Sequence, residues 1–102
     1  MRERKIYAFD LDGVLCEEGD WRPEEMIKRK PIKENIEKVN KLFDMGNIIV
    51  IFTARLEEDR PVTEAWLKLN GVKYDYLVMG KPRFDVYVDE RRKVIGIEDL
   101  EV

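Results

Sequence analysis

Ile48-Ile49-Val50-Ile51-Phe52-Thr53-Ala54-Arg55 lies at the middle of the 102-residue chain, and its first five residues are apolar without a break. Such a run is expected for a strand buried on both faces of a sheet. On its upstream side, Pro31 suits the first turn of a helix, and Ile32, Ile36, Val39, Leu42 and Phe43 follow helical spacing. Gly46-Asn47 ends that helix. Downstream, Pro61 starts a second helix with Val62, Ala65, Trp66 and Leu69 on one face, and Asn70-Gly71 stops it. Further out, Lys5 to Phe9, Tyr74 to Met79 and Asp85 to Val88 read as short strands, the last two separated by Gly80-Lys81-Pro82. Residues 14–30 carry Gly19, Asp20 and Pro23 and form a flap, with one helical turn near Glu24 to Lys28. Strands alternating with helices predict an α/β fold: a three-layer α/β/α sandwich on a parallel sheet.

The length allows one domain, over residues 1–102. The formal net charge is −3 despite 40% charged residues. That balance argues against a nucleic-acid groove, which needs a basic surplus. The local basic runs, Lys28-Arg29-Lys30 and Arg91-Arg92-Lys93, read as solvated faces. Abundant Glu, Lys and Arg with no Gln resembles the composition of heat-adapted proteins. No targeting or membrane segment is visible, so a cytoplasmic location is expected.

The missing residue types exclude whole chemistries. The sequence has no His, Ser or Gln and one cysteine, Cys16. A Ser-His-Asp triad and a histidine- or thiolate-ligated zinc site are therefore excluded. Carboxylates without His favour a hard cation, Mg²⁺ before zinc. Cys16, beside Glu17 and Glu18, is expected to be a small packing residue whose thiol those charges push up. Trp66 falls on an apolar helix face and is expected in the core, while Trp21 sits on the flap, where it either covers the core or stacks on a ligand ring.

In an open parallel sheet, ligands bind beyond the carboxyl ends of the strands. The predicted strands finish in Asp10-Leu11-Asp12-Gly13, Thr53-Ala54-Arg55, Gly80-Lys81-Pro82 and Asp89-Glu90. A parallel arrangement brings all four groups to one edge. The set suits phosphoryl transfer: a carboxylate nucleophile, a second carboxyl for proton transfer, and cations and donors for the charged transition state. Gly13 lets the backbone turn just after the acids, and Asp10 and Asp12 can divide the two roles. Arg55 and Arg83 are expected to pair with nearby acids.

Asp10-Leu11-Asp12-Gly13-Val14, Thr53, Lys81 and Asp89-Glu90 resemble the four motifs of the haloacid dehalogenase superfamily, in order and on the expected elements. The stretches 52–55 and 80–89 are similar to its small capless phosphatase branch, whose members are often described as polysaccharide-biosynthesis or sugar-phosphate phosphatases. The resemblance implies a Rossmann-like fold without a cap, with the strand before Asp10 central between those before Thr53 and Asp89. It implies a Mg²⁺-dependent phosphatase forming an aspartyl-phosphate on Asp10. Asp12 would be general acid and base and lend a backbone carbonyl to the metal, Thr53 and Lys81 would hold phosphoryl oxygens, and Asp10, Asp12 and Asp89 would ligate Mg²⁺. Glu90 stands where the branch usually has a second Asp; with Gly13 and Arg55 it would support the site from behind. The expected partner is a small phosphorylated metabolite such as a sugar phosphate, with neither nucleic acid nor membrane. An open, capless site either admits a bulky substrate or is closed by a neighbouring subunit of a homo-oligomer. The competing readings are a nucleic-acid end phosphatase or nucleotidase, a receiver-like domain that binds Mg²⁺ and accepts phosphate, and a phosphotransferase with an acceptor other than water.

Overall fold

The structure is a computed structural model that describes residues 4–90 and 92–102. β1 (Ile6–Phe9) leads into the flap, which contains the short helix α1 (Pro23–Met26). The 12-residue helix α2 (Lys33–Asp44) precedes β2 (Ile48–Phe52). A 3₁₀ turn (Glu57–Asp59) runs directly into α3 (Arg60–Leu69), and β3 (Tyr76–Val78) follows. A last 3₁₀ turn covers Ile97–Asp99. None of the helices is long and apolar enough to cross a membrane among the described residues.

The sheet is parallel, in the order β1-β2-β3, with Ile6 beside Ile48 and Val50 beside Tyr76. The α/β class and parallel sheet are as the sequence predicts. One face of the sheet is buried with residues of both α2 and α3, as crossovers stepping in one direction are expected to arrange them. Side chains alternate across a pleated strand, and burial follows that alternation. Phe9, Ile49, Ile51 and Leu77 are buried against the helices, with Val39, Leu42, Trp66 and Leu67 in the same core. On the opposite face Ile6, Tyr76 and Val78 are exposed. β2 is thus fully buried on one face and half-buried on the other, not sealed on both as its continuous apolar run suggests.

The expected strand at Asp85–Val88 does not form, and β2 rather than β1 is central. Backbone bonding explains where the chain goes instead. After β3, Gly80 N–H donates to the Arg55 carbonyl and Lys81 N–H to the Thr53 carbonyl, at 2.7 and 2.9 Å. These bonds fold the chain over the end of β2. Val86 and Val88 are left exposed. The C-terminal stretch returns to α2, where Lys38 Nζ donates to the Ile97 carbonyl at 3.0 Å and Ile97 and Leu100 pack on the core.

Side-chain amides join the elements. Asn47 Nδ2 donates to the Leu42 carbonyl at the end of α2, while its Oδ1 accepts the Lys5 N–H at the start of β1. Asn40 bridges α2 to the turn before β3 by donating to the Gly71 carbonyl and accepting from Lys73 N–H. Each such bond contributes about 1 kcal/mol net, and losing the buried one from Asn47 to the Leu42 carbonyl would leave a costly unpaired backbone group.

Ile51 is fully buried at the centre of the sheet. Ile51→Ala should lower the unfolding free energy by about 2–5 kcal/mol. Urea unfolding followed by circular dichroism measures this, and an unchanged midpoint would show that the core is not packed as described.

Candidate active site

The loops after three parallel strands meet at one edge of the sheet. Asp10 and Asp12 follow β1, Thr53 and Arg55 follow β2, and Lys81 follows β3. Gly13 makes the first loop. It has φ +87°, a conformation that a side chain at this position would strain, and its N–H donates to the Cys16 carbonyl at 2.8 Å. The flap then leaves and returns through a narrow neck, with Glu17 N–H on the Lys30 carbonyl and Ile32 N–H on the Leu15 carbonyl, both at 2.9 Å.

Asp10 is the accessible acid. Its side chain is 42% exposed, and its Oδ1 accepts the Leu11 N–H at 2.8 Å. Lys81 Nζ approaches the same oxygen at 3.3 Å while lying over the Phe52 ring, 5.6 Å from its centroid. Both contacts fall on Oδ1, so Oδ2 is the oxygen turned to incoming groups. The Lys81 ammonium neutralises the carboxylate and offers further N–H donors to an anion.

Asp12 is held quite differently. Arg55 is fully buried and grips both of its oxygens, Nε to Oδ2 at 3.0 Å and Nη2 to Oδ1 at 2.8 Å. Arg55 Nη1 is anchored on Thr63 Oγ1 of α3 at 3.0 Å. The bidentate fork fixes the carboxylate in plane as well as in position. The expectation that Arg55 pairs with an acid is met, and the acid is Asp12. Thr63 went unnoticed because its role depends on the fold: eight residues along the chain, it is meaningful only once α3 lies under the loop after β2.

Thr53 is 1% exposed, and its Oγ1 accepts the Arg55 N–H at 3.2 Å. That bond stiffens the loop, and the hydroxyl proton remains able to donate. Cys16 packs beneath Asp12, with Sγ 3.5 Å from Oδ1. Burial, and then the Asp12 charge, push its thiol up to about 12. The expected inertness is present, but its cause is desolvation and Asp12, not Glu17 and Glu18, which are exposed.

Asp89 and Glu90 lie in the exposed stretch 82–90, where Tyr87 Oη donates to Asp89 Oδ2. Mg²⁺ demands near-octahedral coordination by about six oxygens. Among the described residues no three or more acidic, His or Cys side chains are gathered to hold a metal, so Asp10, Asp12 and Asp89 do not form a finished site. The reason is the missing fourth strand, which the convergence of all four groups required.

Arg29 corrects the reading of its basic run. It is 7% exposed, not part of a solvated face, and the Trp66 Nε1–H donates to its carbonyl at 2.8 Å. The signal in the sequence was Met26, three residues earlier, which is also buried and marks the inward side of this turn. Arg91 lies outside the described residues, and Arg92 and Lys93 are exposed. Arg83, expected in an ion pair, has its guanidinium 6.0 Å from the centre of the Trp21 ring.

No protein-family model and no curated protein matches the chain. Solved structures do. A crystal structure of a structural-genomics target from Vibrio cholerae is 27% identical, with a TM-score of 0.69 over 87% of this chain and 82% of that one. A chain of the Pnkp1/Rnl/Hen1 complex is 20% identical, with a TM-score of 0.69 over 87% of this chain and 30% of the other. A second structure, described as the Pnkp1/Rnl/Hen1 RNA repair complex, is also 20% identical, with a TM-score of 0.68 over 76% of this chain and 26% of its counterpart. These two share the fold, and this chain spans under a third of their length.

Two outcomes check the site. Arg55→Met leaves Asp12 without its partner and should cost about 3–5 kcal/mol in urea unfolding, as the loss of one member of a buried pair does. Cys16 should resist a thiol reagent such as DTNB at pH 8 in the folded protein and react at once in denaturant. Rapid labelling of the native state would contradict its burial and raised pKa.

Proposed function

We propose that the protein is a phosphatase of the haloacid dehalogenase type, hydrolysing a phosphate monoester through an aspartyl-phosphate on Asp10. The observation that carries this reading is the Lys81 ammonium 3.3 Å from an exposed Asp10 carboxylate, beside a second carboxylate fixed by a buried fork. A carboxylate gripped on both sides would be a poor nucleophile, and Asp12 is so gripped; Asp10 is open.

In this mechanism Asp10 Oδ2 attacks phosphorus and the bond to the leaving oxygen breaks. Asp12 gives that oxygen a proton. Asp12 is the second carboxyl available for this proton, and once protonated it keeps only one oxygen as acceptor on the fork, because Arg55 donates and cannot accept. Water then attacks the aspartyl-phosphate, Asp12 takes its proton, and the P–O bond to Asp10 breaks to release phosphate. Lys81 and the Thr53 hydroxyl stabilise the charge on the phosphoryl oxygens. Mg²⁺ is the hard cation suited to these carboxylates and would bind together with the substrate. A small phosphorylated metabolite is the proposed substrate class, and the acidic balance of the chain disfavours a nucleic-acid end.

Hydrolysis of p-nitrophenyl phosphate tests the reading. Turnover should be lost with EDTA and restored by Mg²⁺. Asp10→Asn should reduce kcat by at least about a thousandfold, in line with removal of a covalent nucleophile. Activity that survives the substitution would sink the mechanism. Stable phosphorylation by acetyl phosphate without turnover would support the phospho-acceptor reading instead.

A further inference from the structure

A cleft of about 220 Å³ opens on the flap side of Asp12, lined by Asp12, Glu18, Gly19, Trp21, Arg29 and Arg83. Its floor holds an unsatisfied cation. Arg29 is more than nine-tenths buried, and only its Nη2 is engaged, donating to the Asp20 carbonyl at 2.7 Å. Its Nε and Nη1 have no hydrogen-bond partner. Buried guanidinium N–H groups without an acceptor are costly, and an oxyanion entering the cleft would supply one.

The flap is shaped around this group. A Cβ at Gly19 would lie 2.8 Å from Arg29 Nη1, so glycine lets the flap backbone lie against the guanidinium without displacing it. The Arg29 backbone is pinned from below by Trp66. Arg83 brings a second guanidinium to the same cleft against the half-exposed Trp21 ring. Of the two acids lining the cleft, Asp12 is already neutralised by Arg55, which leaves Glu18 against two arginines. The cleft therefore has a surplus of positive charge, although the whole chain is acidic.

We propose that this cleft is a second-anion subsite: the ligand is a small phosphomonoester carrying another oxyanion, phosphate or carboxylate, which supplies the missing acceptor to Arg29 with Arg83 beside it, while Trp21 covers the carbon frame. This deepens the phosphatase reading and rests on it for the ligand's being a substrate; the binding itself does not depend on turnover. The cleft shares Asp12 with the reaction centre, so the second anion sits on the leaving group.

The test titrates the full chain carrying Asp10→Asn with glucose 6-phosphate, 6-phosphogluconate and glucose 1,6-bisphosphate. Tryptophan fluorescence reads occupancy through Trp21, since Trp66 is fully buried. The two compounds with a second anion should bind at least about tenfold more tightly than glucose 6-phosphate, the worth of one charge-assisted contact. Which of the two gains more identifies the anion as carboxylate or phosphate. Arg29→Met should abolish the advantage, and Arg83→Met, at an exposed position that folding does not depend on, should reduce it. Equal affinities for all three ligands, or an advantage that persists in both variants, would overturn the proposal. So would tighter binding of a 3′-phosphorylated dinucleotide than of either two-anion sugar. A two-anion preference without hydrolysis of any phosphomonoester by the unsubstituted chain would leave the subsite standing and remove the phosphatase reading. Hydrolysis of p-nitrophenyl phosphate without that preference would do the reverse.

Discussion

The buried fork from Arg55 to Asp12 ties together the parts of the molecule that matter. It joins the loop after β1 to the loop after β2, and through Thr63 it fastens both to α3. A guanidinium that is entirely out of water needs an acceptor for each edge it presents. Asp12 and Thr63 supply them, so the two loops cannot separate without stranding a charge. The same contact leaves Asp10 as the acid that is free to meet a ligand. Two carboxylates two residues apart thereby acquire different environments, the usual route to different chemical roles.

The second constraint is the position of the flap. It is held by its narrow neck, by Asn35 Nδ2 on the Val14 carbonyl at 2.7 Å, and by Trp66 on the Arg29 carbonyl. Trp66 thus serves as core residue of α3 and as a donor that fixes flap backbone. The flap forms a wall directly beside Asp12. The three solved structures share the parallel α/β scaffold, and scaffolds of this sort host many activities.

The sheet's exposed face and the unpaired edge of β1 are the structure's departures from the expected sandwich. Ile6, Tyr76 and Val78 face outward, and the apolar residues of 84–88 lie apart from the sheet. The consequence for the site is direct. Residues 85–88 form no strand beside β1, and Asp89 is not gathered with Asp10 and Asp12 among the described residues.

The sequence by itself determined the local features. The helical spacing of Ile36, Val39 and Leu42, the stops at Gly46 and Gly71, and the apolar run at 48–52 identify elements because propensity and side-chain period act over a few residues. It also determined which chemistry was available, since a chain without His or Ser must work with carboxylates, Lys, Arg and Thr. The order of strand ends was enough to bring Asp10, Thr53 and Lys81 to one edge. Tertiary structure alone decided which acid Arg55 would hold, that Arg29 would leave its basic run for the interior, and that Asp85–Val88 would not pair. Those outcomes turn on contacts between residues far apart in the chain. Hydrogen-bond geometry and the cost of burying a charge are set by partners that only the folded chain brings within reach.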